Sequence, residues 1–162
     1  MIEIRPIRET DWPQVHALVV EVASVGETYA VDVPQSVEET RDFWAGQLVL
    51  VAVDGDTVLG SARMGPNRPA QGAHVATASF MVGKAARGRG IGRALGEYAV
   101  EWLRGSGYQA IQFNAVVSTN TGAIKLWESL GFETIGVVPD AFRLPDGAYA
   151  DLHVMYLRLV HP

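Results

Sequence analysis

The stretch Phe80-Met81-Val82-Gly83-Lys84-Ala85-Ala86-Arg87-Gly88-Arg89-Gly90-Ile91-Gly92-Arg93 is where the fold declares itself. Upstream, His74 to Val82 is rich in small and β-branched residues and reads as a central strand. Downstream, Ile91, Leu95, Tyr98, Ala99, Trp102 and Leu103 recur on a helical period that stops at Gly105-Ser106-Gly107. Strand, glycine loop and helix in that order combine three devices for holding phosphate: glycines that let backbone amides approach, a helix N-terminus with partial positive charge, and guanidinium donors. The plain alternative is a glycine-rich turn with solvated arginines. A P-loop would need Gly-Lys followed by Ser or Thr, which is missing here, and G-x-G-x-x-G fails because Arg93 stands where the third glycine should follow Gly88 and Gly90. A diphosphate carried by neither a nucleoside triphosphate nor NAD is what the loop leaves open.

Working outward, residues 2 to 7 alternate as an edge strand, and Thr10 or Asp11 can cap a helix that tolerates Pro13 and presents Val15, Leu18, Val19 and Val22. After a polar loop from Gly26 to Pro34, Ser36-Val37-Glu38-Glu39 offers a capping box for a short helix containing Phe43 and Trp44. Leu48 to Val53, Asp54-Gly55-Asp56 and Thr57 to Met64 read as a tight hairpin. Beyond the glycine loop, Ala110 to Val117 is a strand, Thr119 or Asn120 caps a helix carrying Ala123, Ile124, Trp127 and Leu130, and Gly131 stops it. Phe132 to Val138 and Tyr149 to Leu159 are two further strands about a turn at Pro145-Asp146-Gly147. The order β-α-α-β-β-β-α-β-α-β-β predicts an α/β fold: a mixed, mostly antiparallel central sheet flanked by helices.

Composition narrows the function classes. The 162 residues have no linker or repeat and read as one domain, 1–162; at 48% apolar and 19% charged they exclude collagen-like, disordered and disulfide-scaffold chains. The absence of cysteine removes thiolate mechanisms and Cys-based zinc sites and fits a reducing compartment. No apolar run approaches the roughly 20 residues a membrane span needs, and Met1 to Arg5 shows no signal region, so the expected address is the cytoplasm. A net charge of −5 argues against broad nucleic-acid binding. Four of the thirteen positive charges, Lys84, Arg87, Arg89 and Arg93, nevertheless fall in ten acid-free residues of the glycine loop. Four histidines without metal-ligand spacing, and no Cys, give no metal site.

Arg87-Gly88-Arg89-Gly90-Ile91-Gly92 resembles the Q/R-x-x-G-x-G/A signature of the GCN5-related N-acetyltransferases (GNAT), with Phe80-Met81-Val82 at the expected offset before it. Asn120-Thr121-Gly122-Ala123-Ile124-Lys125-Leu126-Trp127-Glu128-Ser129-Leu130-Gly131-Phe132 is similar to that family's N-x-x-A-x-x-L-Y-x-x-x-G-F helix. Element order is similar from end to end, and Phe113-Asn114-Ala115-Val116-Val117 with Thr119-Asn120, the late Gly136, Pro139 and Ala141-Phe142, and Gly147 with Asp151, is similar to members acting on small amino acids and amines. The resemblance implies the GNAT acyl-CoA N-acyltransferase fold, acetyl-CoA as cosubstrate without a metal, and a small-molecule amine as acceptor; it implies neither a nucleic-acid nor a membrane partner, and a homodimer stays open. It also implies positions. Arg87, Gly88, Arg89, Gly90, Ile91 and Gly92 would hold the pyrophosphate through their amides, Met81 and Val82 would pair with the pantetheine arm as an added strand, and Asn120, Ala123 and their helix would contact it from the other side. Arg89, Arg93 or Lys125 could reach the ribose 3′-phosphate.

Acetyl transfer to an amine asks for a neutral amine, a stabilised oxyanion and a thiolate able to leave. Without cysteine, direct attack by the amine is the expected route, and a backbone amide near Met81 or Val82 can meet the oxyanion. Trp127 stands where the resemblance places an acidic tyrosine; indole cannot supply that proton, so Trp127 reads as a wall of the thioester pocket or as core packing. Tyr29 or Tyr149 could substitute. The candidates for catalysis are Glu27, His74 and Asn114, each with a plain counterpart: a capping carboxylate, a solvated strand-end histidine, a structural amide. Glu27, Tyr29, Asn114 and Asp151 are the candidate acceptor contacts, Asp151 weighed against an edge-strand carboxylate facing water. Two other functions stay open: a non-catalytic acyl-CoA-binding module, and an acetyltransferase of protein N-termini or lysines.

Overall fold

The computed structural model describes residues 1–160. β1 (Ile2–Pro6), β2 (Leu48–Asp54), β3 (Thr57–Pro66), β4 (Val75–Val82), β5 (Ala110–Val117), β6 (Glu133–Arg143) and β7 (Tyr149–Arg158) form one sheet in the order β1-β2-β3-β4-β5-β7-β6. Among the described residues, only the β4–β5 pair is parallel. The mixed, mostly antiparallel expectation therefore stands, and the one parallel pair is the one joined by a helical crossover, as chain geometry requires. The helices are α1 (Trp12–Val25), α2 (Val37–Phe43), α3 (Ile91–Gly105) and α4 (Thr121–Ser129).

β2 explains why helices lie on both faces. Its run Leu48-Val49-Leu50-Val51-Ala52-Val53 shows no polar alternation because each face is covered. Leu50 and Ala52 join the core that includes Leu95, Leu103, Ile111, Trp127 and Met155, on the side of α3 and α4. Val49, Val51 and Val53 join a second core with Trp12, Val15, Val19, Trp44 and Met81, under α1 and α2. Trp44, expected inside the second helix, instead follows α2 as its C-cap residue; it is fully buried, and its Nε1 donates to Ser61 Oγ at 2.9 Å.

Two irregularities open the sheet. β4 and β5 pair only at Val75↔Ala110 and Ala76↔Ile111, then diverge. On the other side of β5, the register with β7 shifts between Phe113 and Val116, so Asn114 and Ala115 bulge and bend the strand where the gap begins. β6 runs to Arg143, past the expected end at Val138, because a second register shift between Val138 and Phe142 absorbs Pro139 and Asp140 without ending the pairing to β7. Among the described residues, no helix is long and apolar enough to cross a membrane.

Candidate functional site

The gap between β4 and β5 is the floor of a cleft of about 1040 Å³. One end is lined by Val82, Arg87, Gly92, Asn120, Ala123 and Trp127, the other by Glu27, Tyr29, Phe43, Arg63, Thr77 and Ser79. The β6–β7 turn closes toward the second end: a Cβ placed on Gly26 would lie 3.8 Å from Pro145 Cγ, so the α1–α2 loop and this turn touch.

At the first end, Gly88 (φ 79°) and Gly90 (φ 76°) carry the left-handed backbone that brings the loop round to α3. Ala94 is the first amide to bond back, to the Gly90 carbonyl, so the N–H groups of Ile91, Gly92 and Arg93 take no partner among the described residues. With the N–H groups of Gly88 and Gly90 also unpaired, the loop presents donors and the positive end of a 15-residue helix toward Arg87. Arg87 lines the cleft, whereas Arg89 pairs with Asp54 at 3.0 Å and Arg93 with Glu97 at 3.0 Å and Ser129 at 2.9 Å. Lys125 is exposed on α4 and lies outside the lining.

Which strand groups face the gap follows from alternation. The Val75 carbonyl and the Gly83 N–H bond to the β3 side, so odd-numbered residues of β4 use their backbone on β3 and even-numbered ones turn theirs to the gap. Met81 sits opposite Ser61 with its backbone committed to β3 and its side chain buried under α1. It touches the cleft, but Val82 is the residue that offers a free N–H and C=O there, and the expectation for Met81 is corrected accordingly. Phe80 also faces the gap, and Tyr29 takes both its groups: the hydroxyl donates to the Phe80 carbonyl at 2.6 Å and accepts the Phe80 N–H at 2.9 Å. Burial of that hydroxyl pushes the Tyr29 pKa up to about 12, so it stays protonated and its proton is already engaged.

A model of the acetyltransferase (GNAT) family matches residues 4–132. This chain belongs to that family. It is similar to a GCN5-related N-acetyltransferase structure from Kribbella flavida, with 52% identity, a TM-score of 0.92 and 97% of both chains covered. Among curated proteins it is 30% identical to N-acetyltransferase aca1 of Schizosaccharomyces pombe, over 80% of this chain and 71% of the relative. A phosphinothricin acetyltransferase from Sinorhizobium meliloti, solved in complex with acetyl-CoA, shares the fold at 22% identity, with a TM-score of 0.88 and 97% and 88% of the two chains covered.

Within this GNAT chain the remaining candidates separate cleanly. Trp127 is 6% exposed: it packs in the core on Phe80 and Phe113 at centroid distances of 4.7 and 4.8 Å and also borders the cleft. Asn120 caps α4, its Oδ1 accepting the Ala123 N–H at 3.3 Å, and also lines the cleft. Glu27 is exposed at the second end and forms no hydrogen bond or ion pair with the described residues; Ser36 caps α2 instead. Asn114 lines the cleft, donates to Asn67 Oδ1 at 2.6 Å and accepts from Gln112 Nε2 at 2.9 Å, so its amide is oriented by neighbours and keeps one N–H. His74 is corrected. It precedes β4 at the end away from Val82 and borders a different hollow with Gln47, Pro66 and Tyr108, about 26 Å along the chain from Val82. Asp151 is also corrected: it lies on β7, an interior strand, outside the cleft lining, where its Oδ1 accepts the Asp140 N–H at 2.9 Å and secures the β6 bulge. Tyr149 is 62% exposed and lies outside the lining too. Among the described residues, no three His, Asp or Glu side chains gather closely enough to hold a metal ion.

Arg63, Phe43 and Asp146 line the cleft without having been singled out from sequence. For Arg63 a signal existed. It is two residues from Ser61 on the strand that follows the Asp54-Gly55-Asp56 turn, and hairpin register puts both on the face of Trp44.

Proposed function

We propose that this chain transfers the acetyl group of acetyl-CoA to the amine of a small molecule, an amino acid or a related amine, by direct attack. Acetyl-CoA supplies the acetyl group as a thioester. What supports the reading is the two-ended cleft through the β4–β5 gap. One end has the donor set a diphosphate requires: the unpaired amides of Gly88, Gly90, Ile91, Gly92 and Arg93, the α3 N-terminus and the free Arg87 guanidinium. Val82, with both backbone groups turned to the gap, suits an amide-bearing arm laid alongside β4 as an extra strand, and its N–H is placed to donate to a thioester carbonyl. Trp127 and Phe113 make the wall there apolar and exclude water.

The acceptor would enter from the other end, under the contact between Pro145 and the α1–α2 loop. That roof favours a small acceptor over a protein chain. Glu27 is placed to attract an ammonium and to take its proton to solvent, and Asn114 to orient the amine or the carbonyl through its remaining N–H. Neither Tyr29 nor Trp127 gives a proton to the departing sulfur; a thiol of pKa near 8.5 leaves without one at neutral pH. The test is thiol release from acetyl-CoA against a mixed panel of amino acids, amines and short peptides. Turnover confined to small amines is expected. Cofactor binding without any turnover would instead make the chain an acyl-CoA-binding module, and turnover of peptides alone would make it a protein acetyltransferase.

A further inference from the structure

In a chain with 18 acidic and 13 basic residues, a cationic side chain without an anionic partner inside a cleft calls for a cause. Arg63 is that side chain. It rises from β3 opposite Ser79, on the face covered by α1 and α2, and lines the acceptor end of the cleft. Its Nη1 donates to the Ala45 carbonyl at 3.2 Å, its Nε is buried without any partner, and Nη2 has none either among the described residues. The guanidinium carbon lies 5.4 and 5.5 Å from the ring centroids of Phe43 and Trp44, within cation–π range of both. No carboxylate of the described residues forms an ion pair with it. Burial lowers its pKa, yet a guanidinium keeps its charge at neutral pH.

A half-buried charge with unsatisfied donors is costly, and among the described residues the Ala45 carbonyl and the rings of Phe43 and Trp44 offset that cost without supplying an anion. Its Nη2, unpartnered and not enclosed as Nε is, can donate a charge-assisted hydrogen bond to a carboxylate entering the cleft. Glu27 and Asp146, in turn, place negative charge on the same end of the cleft. We infer that Arg63 is the specificity-determining residue of the acceptor site: it binds a carboxylate of the acceptor, so the substrate is an amino acid held at both ends, its carboxylate on Arg63 and its amine toward the gap. This rests on the acetyltransferase reading above and adds the acceptor's second functional group to it.

The experiment pairs amino acids with the amines of the same carbon skeleton that lack the carboxylate, in wild type and in Arg63→Gln, Arg63→Lys and Arg63→Met. Thiol release and the thermal midpoint in saturating acetyl-CoA are both read, and acetyl-CoA binding is measured by calorimetry. Wild type should acetylate, or be thermally stabilised by, acids at least about 100-fold better than their decarboxylated partners. In Arg63→Gln that preference should vanish through the acceptor KM, with Arg63→Lys restoring part of it and acetyl-CoA affinity unchanged. Arg63→Met should melt no lower than wild type, because it removes an uncompensated charge, whereas a merely structural arginine would leave a less stable protein. Equal use of acids and decarboxylated amines, full activity of Arg63→Gln, or no response to any acid by a protein that binds acetyl-CoA would each overturn the inference while leaving the reading intact. Failure to bind acetyl-CoA would overturn the reading itself.

Discussion

Gly96→Ala adds one methyl where α3 packs against the side chains of Trp127 and Leu130. A Cβ there would meet Trp127 Cζ3 at 2.8 Å, Leu130 Cδ1 at 3.2 Å and Trp127 Cη2 at 3.4 Å. The indole has no free direction in which to retreat within the core, since Phe80, Phe113 and Phe132 stand 4.7, 4.8 and 5.9 Å away, centre to centre. Overpacking of this kind costs about 2 to 3 kcal/mol. Alanine recovers about 1 kcal/mol of helix propensity. The net loss is then about 1 to 2 kcal/mol, a fall of roughly 3 to 7 °C in thermal midpoint for a chain of this size. The one outlet for the ring is the cleft, so the indole should move toward the gap and raise the acetyl-CoA KM several-fold. Thermal unfolding by circular dichroism, with tryptophan fluorescence and steady-state kinetics, reads all three effects. Gly96→Ala combined with Trp127→Phe should lose less stability than the two single changes added together, because the smaller ring makes room for the methyl. A Gly96→Ala protein as stable as wild type, with unchanged KM, would refute the claim that Trp127 is wedged between the core and the cleft.

Three further outcomes follow from particular contacts. Asp11→Ala leaves Arg5 without the buried carboxylate that it contacts at 2.7 Å and should cost about 3 kcal/mol in urea unfolding. The Arg5 hydrogen bond holds the Asp11 pKa below its usual value, so the pair's contribution is full above about pH 4 and declines as pH falls through the folded pKa; Asp11→Ala should flatten the acid limb of stability against pH. Tyr29→Phe frees the N–H and carbonyl of Phe80 and should cost about 1 to 2 kcal/mol in the same assay. Because the Tyr29 hydroxyl titrates only at about 12, the pH dependence of kcat/KM between pH 7 and 10 should keep its shape in Tyr29→Phe; loss of an alkaline limb there would make Tyr29 an acid after all.

Much of the architecture was legible because it is written in local signals. Asp54-Gly55-Asp56 announced the β2–β3 hairpin, and Gly55 does take a φ of 60°. The glycine loop announced a strand-to-helix junction, and the two apolar faces of α1 and α3 announced what covers the sheet. What was not legible depends on neighbours distant in sequence. His74 immediately precedes the strand that ends at Val82, and nothing in a strand's pattern says which of its ends meets the opening. Asp151 read as an edge carboxylate because the chain order does not show that β7 inserts between β5 and β6. Pro139 and Asp140 looked like the end of a strand, whereas a bulge held by Asp151 carries β6 past them. Arg63 was overlooked because arginine on a strand ordinarily points to water; the packing of Phe43 and Trp44 over it removes part of that water. Arg89 and Arg93 looked free for phosphate, but their acidic partners Asp54 and Glu97 lie outside the acid-free segment that drew attention to them.

The central claim is that acetyl-CoA is seated by the amides of the glycine loop. Gly90, with a φ of 76°, is a poor place to test it, since a β-branched residue there would strain the loop. Gly92 is better: it needs no left-handed backbone and an added Cβ would lie 3.6 Å from Leu126 Cδ2 and 3.8 Å from Val82 Cγ2, ordinary contacts, so valine there adds bulk beside Val82 at the helix start without straining the loop. Calorimetric titration of acetyl-CoA into wild type and Gly92→Val is the direct measurement. One equivalent bound by wild type and at least about 100-fold weaker binding by a folded Gly92→Val is the predicted result; no heat with wild type, or equal affinity in both, would contradict it.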